Sequence, residues 1–216
     1  MPLFNNKKRN IYFIHIPRTA GRYISTAFLN SGFDIFFDEG KVDGYEVMHL
    51  WYPLYTQLPI HDALHFTVVR NPLDRFKSAA KGLIVNCNLD KDYFSRVDFV
   101  YDDLCDIISY AMRRRKSAWY TCQFNFVTDK TLIWKYEDGF GKDFKKWIWN
   151  NMRVRLNLKD IGYEGSEWEK MDISFSPEVE EMVKEYYQVD YKTFNYPQGK
   201  FNFFFQKSRK KTPAIF

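Results

Sequence analysis

The order of apolar runs and turns along this sequence predicts an α/β fold with a central, mostly parallel sheet flanked by helices in three layers. Three short apolar runs, at residues 11–16, 65–69 and 131–136, have the length and composition of buried strands. Each run is followed by a turn signal and then by helical periodicity. Because parallel strands need a crossover connection, this alternation predicts parallel pairing with helices covering the sheet.

The spacing of apolar residues, together with capping residues, predicts four helices. The first covers residues 23–30, and the second covers 73–81 and ends at Gly82. The third covers 104–111, where apolar residues recur at i, i+3, i+4 and i+7. The last begins at Ser176, which we expect to be its N-cap because a proline and two acids follow directly.

Length and composition indicate a chain with a core of its own. With 216 residues and a mass of 26.1 kDa, residues 1–216 are expected to form a single domain. Apolar residues make up 45% and charged residues 27%, a balance that excludes disordered proteins. No apolar run approaches the ~20 residues that span a bilayer, and no signal-peptide pattern is found. Three cysteines are too few for a disulfide framework, so we expect a cytoplasmic protein without a membrane span.

The net charge of +5 is concentrated at one end of the sequence. After Asp190 the chain has six basic residues and no acid, and most of them belong to a basic tail at about 198–216. Without these six, 26 basic residues stand against 27 acidic ones. The remainder of the chain is therefore close to neutral, which disfavours a general nucleic-acid-binding protein.

The first predicted strand leads into a loop that contains the parts of an anion site. Ligands of parallel sheets bind beyond the carboxyl ends of the strands, where the N–H groups of the next helix favour anions. Gly21 permits close approach of the backbone, Thr19 has a hydroxyl, and Arg18 and Arg22 supply positive charge. These parts suit a phosphate or sulfate group, and the alternative is an ordinary turn with two solvated arginines. A Walker A motif is absent from the sequence, which disfavours kinases and ATPases of that class.

A second group of candidate ligand residues follows the second strand. Arg70 ends that strand, and Arg75 and Ser78 come five and eight residues later on the predicted helix. Taken singly, such an arginine is a strand-end cap and such a serine is solvated. Taken with the first loop, they indicate two anion sites at one edge of the sheet, which suits a ligand with phosphates at both ends.

Two segments of the sequence resemble motifs of the carbohydrate sulfotransferases. FIHIPRTAGRYIS, residues 13–25, is similar to their 5′-phosphosulfate loop, xxHIPKTxGTS, and is nearest to the heparan sulfate 2-O-sulfotransferase branch. VVRNPLDRFKSA, residues 68–79, is similar to their 3′-phosphate motif, R-[DHN]-P-x-x-R-x-x-S. The two motifs also have the family's order and separation. Weaker similarities occur at residues 132–138, 178–187 and 190–196.

The resemblance implies a P-loop-like fold and a reaction. The donor would be 3′-phosphoadenosine 5′-phosphosulfate (PAPS), the acceptor a hydroxyl of a carbohydrate, and the product 3′-phosphoadenosine 5′-phosphate (PAP), with no metal. Arg70 and Ser78 would bind the 3′-phosphate. The 5′-phosphosulfate would be bound by Pro17, Arg18, Thr19, Ala20, Gly21, Arg22 and Tyr23.

The sequence departs from the family pattern at three positions of this loop. Arg18 stands where the family has a catalytic lysine, and Arg22 and Tyr23 replace a Thr-Ser pair. An arginine retains the positive charge that a leaving phosphate needs, but it cannot donate a proton. Arg18 is therefore expected to be catalytic through its charge alone.

Sulfuryl transfer also needs a base for the proton of the acceptor hydroxyl. The resemblance implies a catalytic histidine ahead of the 3′-phosphate motif, and His49 lies 21 residues before Arg70. We expect His49 to be this base, with a purely structural histidine as the alternative. The next candidates for the base are Glu46, His61 and Asp62.

Two other functions stay open from the residues alone. One is a nucleotide-dependent phosphotransferase. The other is a catalytically inactive module that binds a nucleotide or glycan, which the arginine at position 18 leaves possible. The basic residues 113–116 fit either a helix end or a patch for an anionic acceptor, and the aromatic residues of 117–126 fit either a sugar cleft or core packing.

Overall fold

A five-stranded mixed sheet, mostly parallel in strand direction, lies at the centre of the protein. This computed structural model describes residues 2–42, 45–52, 54–58, 62–87, 93–95, 103, 117–159, 161 and 170–197. The strands in chain order are β1 (Leu3–Asn5), β2 (Asn10–Ile14), β3 (Asp34–Phe36), β4 (Lys41–Val42), β5 (Tyr45–Glu46), β6 (Leu64–Val69) and β7 (Leu132–Lys135). The sheet order is β3-β1-β2-β6-β7, and β4 and β5 form a separate two-stranded antiparallel sheet.

One strand of the five-stranded sheet, β1, runs in the direction opposite to the other four. β2 pairs with β6, and β6 with β7, in parallel. β1 is antiparallel to both of its neighbours, so β3 runs in the same direction as β2. The carboxyl ends of β2, β6 and β7 therefore meet at one edge of the sheet.

Helices cover both faces of the sheet because alternate strand residues point in opposite directions. The helices are α1 (Gly21–Leu29), α2 (Pro72–Cys87), α3 (Lys142–Met152), α4 (Pro177–Tyr186) and α5 (Gln188–Thr193). Tyr12 and Ile14 of β2 share a buried apolar cluster with α2 and α4. Ile11 and Phe13 share a second buried cluster with α1 and α3. Three layers of secondary structure enclose the two clusters.

The α/β class and the parallel pairing of the three predicted strands are confirmed. The N-cap of the last predicted helix is confirmed as well, since the Ser176 hydroxyl accepts a hydrogen bond from the Val179 N–H at 3.2 Å. The end predicted for α2 at Gly82 is wrong, because the helix continues to Cys87. Leu83 and Ile84 are buried in the core, and their packing outweighs the ~1 kcal/mol cost of a glycine within a helix.

Several sequence predictions fall outside the described residues. They concern the helix predicted at 104–111, the basic residues 113–116 and the tail at 198–216. Within the described part of the chain, no helix is long and apolar enough to cross a membrane.

Candidate functional site

A pocket of about 550 Å³ opens where β2, β6 and β7 end. The loop after β2, the start of α2 and the residues after β7 supply most of its wall. Its lining residues are His15, Pro17, Arg18, Ala20, Gly21, Arg22, Tyr23, Met48, His49, Arg70, Asp74, Lys77, Ser78, Lys81, Trp119, Tyr136 and Phe140. The loop after β2 and the segment that begins at Arg70 are about fifty residues apart in the sequence, and both line this pocket.

The loop after β2, residues 15–20, has an unusual backbone. Arg18 and Ala20 both have positive φ, of 71° and 70°, although neither is glycine. Such residues cost about 1–3 kcal/mol each and persist only where the surroundings fix them. Ala20 is also the residue before α1, and no side chain caps that helix. The loop therefore holds a strained backbone at the edge of the pocket.

Four successive carbonyl groups, those of residues 15–18, accept hydrogen bonds from side chains. The donors, in order along the chain, are His49 Nδ1 at 3.3 Å, Thr19 Oγ1 at 2.7 Å, Arg75 Nε at 3.1 Å and Arg70 Nη1 at 3.3 Å. These bonds account for the carbonyl side of the loop and hold its strained conformation in place.

Gly21 is required at its position by contact with a histidine ring. A Cβ atom on Gly21 would lie 1.7 Å from Nε2 of His15. The His15 ring is 6% exposed, stacks on Phe13 at 5.5 Å and meets the His49 ring edge-on at 4.6 Å. The sequence argument assigned this glycine to close ligand approach, and the structure adds a packing reason.

Arg75 lies beneath the pocket and is fully buried. Besides its bond to the loop, its guanidinium donates to the carbonyls of Thr121 and Ala118, both at 2.9 Å. Burial lowers its pKa below the ordinary value of arginine. Arg75 is not a pocket residue, and it ties α2, the loop after β2 and the segment 117–126 together.

Arg18 connects the two halves of the pocket. Its Nε and Nη2 atoms donate to the Ser78 hydroxyl at 3.0 and 2.9 Å, and its guanidinium lies 5.4 Å from the ring centre of Trp119. Arg70 stacks its guanidinium over Tyr136 at 4.4 Å. The first loop and the second motif are therefore in direct contact.

Gln123 and Asp190 hold the backbone of Arg70. The Gln123 amide accepts from the Arg70 N–H at 2.9 Å and donates to the Arg70 carbonyl at 2.8 Å. The buried Asp190 carboxylate accepts from the N–H groups of Gln123 and Phe124, both at 2.8 Å. Burial raises the pKa of Asp190, while those two backbone bonds lower it. This hydrogen-bond network fixes the position of the Arg70 backbone, from which the side chain extends towards the pocket.

His49 lines the pocket with one ring nitrogen committed to the backbone. Its Nδ1 donates to the His15 carbonyl, which leaves Nε2 as the atom able to accept a proton. Nε2 lies 3.7 Å from the Glu46 carboxylate. Burial lowers the pKa of His49 to about 3, so the ring is neutral across the physiological range.

The other candidates for the base lie in different places. Glu46 is exposed and is not among the residues that line the pocket, although its carboxylate lies near His49. Asp62 precedes β6, at the end of that strand opposite Arg70, and lines a separate cavity with Lys7. His61 lies outside the described residues.

Most of the predicted site residues share this pocket, and one differs from the prediction. The predicted residues Pro17, Arg18, Ala20, Gly21, Arg22, Tyr23, His49, Arg70 and Ser78 all line it. Thr19 does not: it is fully buried, and its hydroxyl bonds to the Ile16 carbonyl within the loop. The expectation that this hydroxyl faces a ligand is wrong.

Sequence reasoning missed several lining residues of α2. Asp74, Lys77 and Lys81 lie at i, i+3 and i+7, on the same face of the helix as the predicted Ser78 at i+4, and that spacing could have identified them. The Lys77 ammonium pairs with the Glu180 carboxylate at 2.6 Å. Tyr136 and Phe140, after β7, carry no comparable local signal.

Part of the aromatic segment 117–126 lies at the pocket and part of it lies in the core. Trp119 lines the pocket, whereas Tyr120 and Phe126 are buried in the core. Among the residues that the structure describes, no group of three or more His, Cys, Asp or Glu could hold a metal ion. No protein-family model, curated protein or solved structure matches this chain.

Proposed function

We propose that this protein is a sulfotransferase of P-loop-like fold that moves the sulfuryl group of PAPS to a hydroxyl of a carbohydrate acceptor. The observation that carries the proposal is the shared pocket. The loop resembling a 5′-phosphosulfate motif and the segment resembling a 3′-phosphate motif line one space, and Arg18 of the first contacts Ser78 of the second.

The charge and size of the pocket support a ligand with two anionic ends. Its lining includes five cationic side chains and one acid, Asp74. A space of about 550 Å³ lies within the range of small-molecule and cofactor sites. The aromatic side chains of Trp119, Tyr136 and Phe140 add flat apolar surface, which suits a base or a sugar ring.

The proposal assigns a balanced chemical step to two residues. The acceptor oxygen forms a bond to sulfur while the bond between sulfur and the bridging oxygen of the donor breaks. The hydroxyl proton goes to Nε2 of His49, and PAP leaves with its new charge stabilised by Arg18. Arg18 must exchange its hydrogen bonds with Ser78 for bonds to the nucleotide.

Nucleotide selectivity tests the binding part of the proposal. PAP at ~100 times its Kd adds ~2.7 kcal/mol of stability, or ~5–10 °C in Tm, and ADP adds much less. Arg70→Ala weakens PAP by at least ~2 kcal/mol and Ser78→Ala by ~1 kcal/mol in calorimetry. Arg153→Ala, an exposed arginine outside the pocket, is the matched control. Equal shifts with PAP and ADP would contradict the assignment of Arg70 and Ser78.

The second candidate function is an inactive module that binds a nucleotide or glycan. The low pKa of His49 favours this alternative, because an imidazole with a low pKa is a weak base. A measurement of turnover distinguishes the module from the enzyme. In an acceptor screen of glycans, phenols and lipids with labelled PAPS, we expect transfer to a glycan. His49→Ala then binds PAP normally and transfers at least ~100 times more slowly. Because the pKa is about 3, the wild-type rate stays level through pH 6.5. PAP binding without transfer to any acceptor would instead establish the inactive module.

A further inference from the structure

One side of the protein carries a dense set of exposed cations. On α3, the exposed residues Lys142, Lys145, Lys146 and Trp149 recur at i, i+3, i+4 and i+7, and the exposed Arg153 directly follows the helix. The opposite stripe of the helix, at Phe144, Ile148 and Met152, is fully buried. The cationic stripe thus faces solvent along the length of α3, ~16 Å.

Two neighbouring segments extend this cationic surface. Residues 142–159 contain six cations and one acid, and Arg155 and Lys159 are exposed beyond the helix. The turn between β1 and β2 adds Lys7, Lys8 and Arg9, and the Arg9 guanidinium donates to the carbonyl of Met152 at the end of α3. The stripe, Arg155, Lys159 and residues 7–9 together are called the basic face.

Two exposed apolar side chains lie in or beside the basic face. Trp149 is 38% exposed, and the guanidinium groups of Arg153 and Arg155 lie 6.0 and 5.2 Å from its ring. Leu29, at the end of α1, is 52% exposed, and the next residue, Asn30, bonds to the backbone of Lys159. A tryptophan flanked by cations is typical of side chains at a bilayer interface.

Two helices on the other side of the sheet, α4 and α5, contain more acids than cations. Residues 177–193, which form α4 and α5, contain five acids and two cations. These helices pack on the face of the sheet opposite α3. A negatively charged plane would therefore attract the basic face more strongly than α4 and α5.

We propose that the basic face docks the protein on a bilayer that contains anionic lipids. Its cations are spread over α3, the segment after it and the β1–β2 turn, and they form a surface rather than a single line. That breadth and the exposed Trp149 and Leu29 fit an anionic lipid surface better than a linear polyanion. Each lysine or arginine near such a surface contributes measurably, and clusters of four to eight suffice for binding. The surface is separate from the pocket and does not depend on the pocket's ligand.

Vesicle sedimentation with the full chain tests the proposal. The protein binds vesicles of phosphatidylcholine with about one-third phosphatidylserine, does not bind pure phosphatidylcholine, and is released as salt approaches ~1 M. The variant K145E/K146E loses at least ~30-fold in vesicle affinity. The matched control K41E/K192E, with the same change in charge at exposed lysines elsewhere, loses much less.

Two results would overturn the proposal. One is equal vesicle binding by K145E/K146E and K41E/K192E, which would attribute the binding to net charge or to the tail. The other is binding to short duplex DNA or a sulfated polysaccharide, through the same lysines, without binding to vesicles. Contact with lipid has its own signal: brominated acyl chains quench the fluorescence of the wild type more than that of Trp149→Phe, and equal quenching contradicts it.

Discussion

Replacing Gly21 by alanine tests how the pocket loop is packed. The new Cβ would lie 1.7, 2.1 and 2.2 Å from three atoms of the His15 ring, so the ring must move by about 1.7 Å to restore an ordinary contact of 3.4 Å. Phe13 stacks on one side of that ring and His49 lies at its edge, so neither direction is open. Overpacking of this kind costs ~1–3 kcal/mol.

Urea unfolding followed by circular dichroism measures this cost as a lower midpoint with an unchanged m-value. In thermal unfolding, each kcal/mol lowers Tm by ~2–4 °C for a chain of this size. The matched control is Gly141→Ala, where nothing lies within 4 Å of the added Cβ, and we expect it to cost less than ~1 kcal/mol.

A double-mutant cycle ties the cost to one contact. His15→Ala removes the ring that Gly21→Ala would strike, so the double variant should be more stable than the sum of the single effects by at least ~1 kcal/mol. Strictly additive effects, or a Gly21→Ala variant as stable as Gly141→Ala, would refute the packing argument. A PAP affinity that falls in Gly21→Ala would further connect the ring to the pocket.

Two further variants test the groups beneath and beside the pocket. Arg75→Met keeps an apolar stem in the buried site but removes the guanidinium, which leaves three carbonyls without their donor. Urea unfolding should therefore show a loss of ~3 kcal/mol or more, and a loss below ~1 kcal/mol would contradict the structural role. His49 is neutral in the fold with a pKa of about 3 and charges near pH 6.5 when unfolded, so the unfolded state binds more protons between these values. The contribution of His49 to the free energy of unfolding is therefore fully present above pH ~6.5 and decreases at lower pH, by up to ~1.4 kcal/mol per pH unit. His49→Asn should remove this part of the pH dependence when unfolding is measured from pH 7 to 4. Equal slopes in the two proteins would show that the ring is charged in the fold.

The strands and the two pocket motifs could be predicted from the sequence because their signals are local. β2 and β6 are buried on both faces and appear as continuous apolar runs. The carboxyl ends of parallel strands lie at one edge, so Arg18 and Arg70 could be expected to come together. What a local pattern cannot give is the partner of each group, such as the contact of Arg18 with Ser78, sixty residues away.

The missed elements have physical reasons of their own. β1 and β3 have three residues each, too few for a period of two to be recognised, and they are held by pairing with a longer neighbour. The Gln123 side chain forms hydrogen bonds with the backbone of Arg70, 53 residues away in the sequence. Hydrogen bonds of this kind produce no periodic pattern in the sequence. Net charge was also a poor guide, because it averages over the basic face and the acidic helices on the other side of the sheet.

The motif at residues 68–79, which indicates a ligand site, also contains Arg75, which supports the loop of that site from beneath. Arg75 and Ser78 are three apart on α2, so spacing alone assigns both to the same side of the helix. The structure separates them by depth: Ser78 lines the pocket, whereas Arg75 is buried and holds the Pro17 carbonyl. The bonds to the carbonyls of residues 15–18 offset the cost of two positive φ angles and keep those acceptors away from an anion. An anion site requires donors to face the ligand and acceptors to be satisfied elsewhere, and in this loop four side chains provide the second condition.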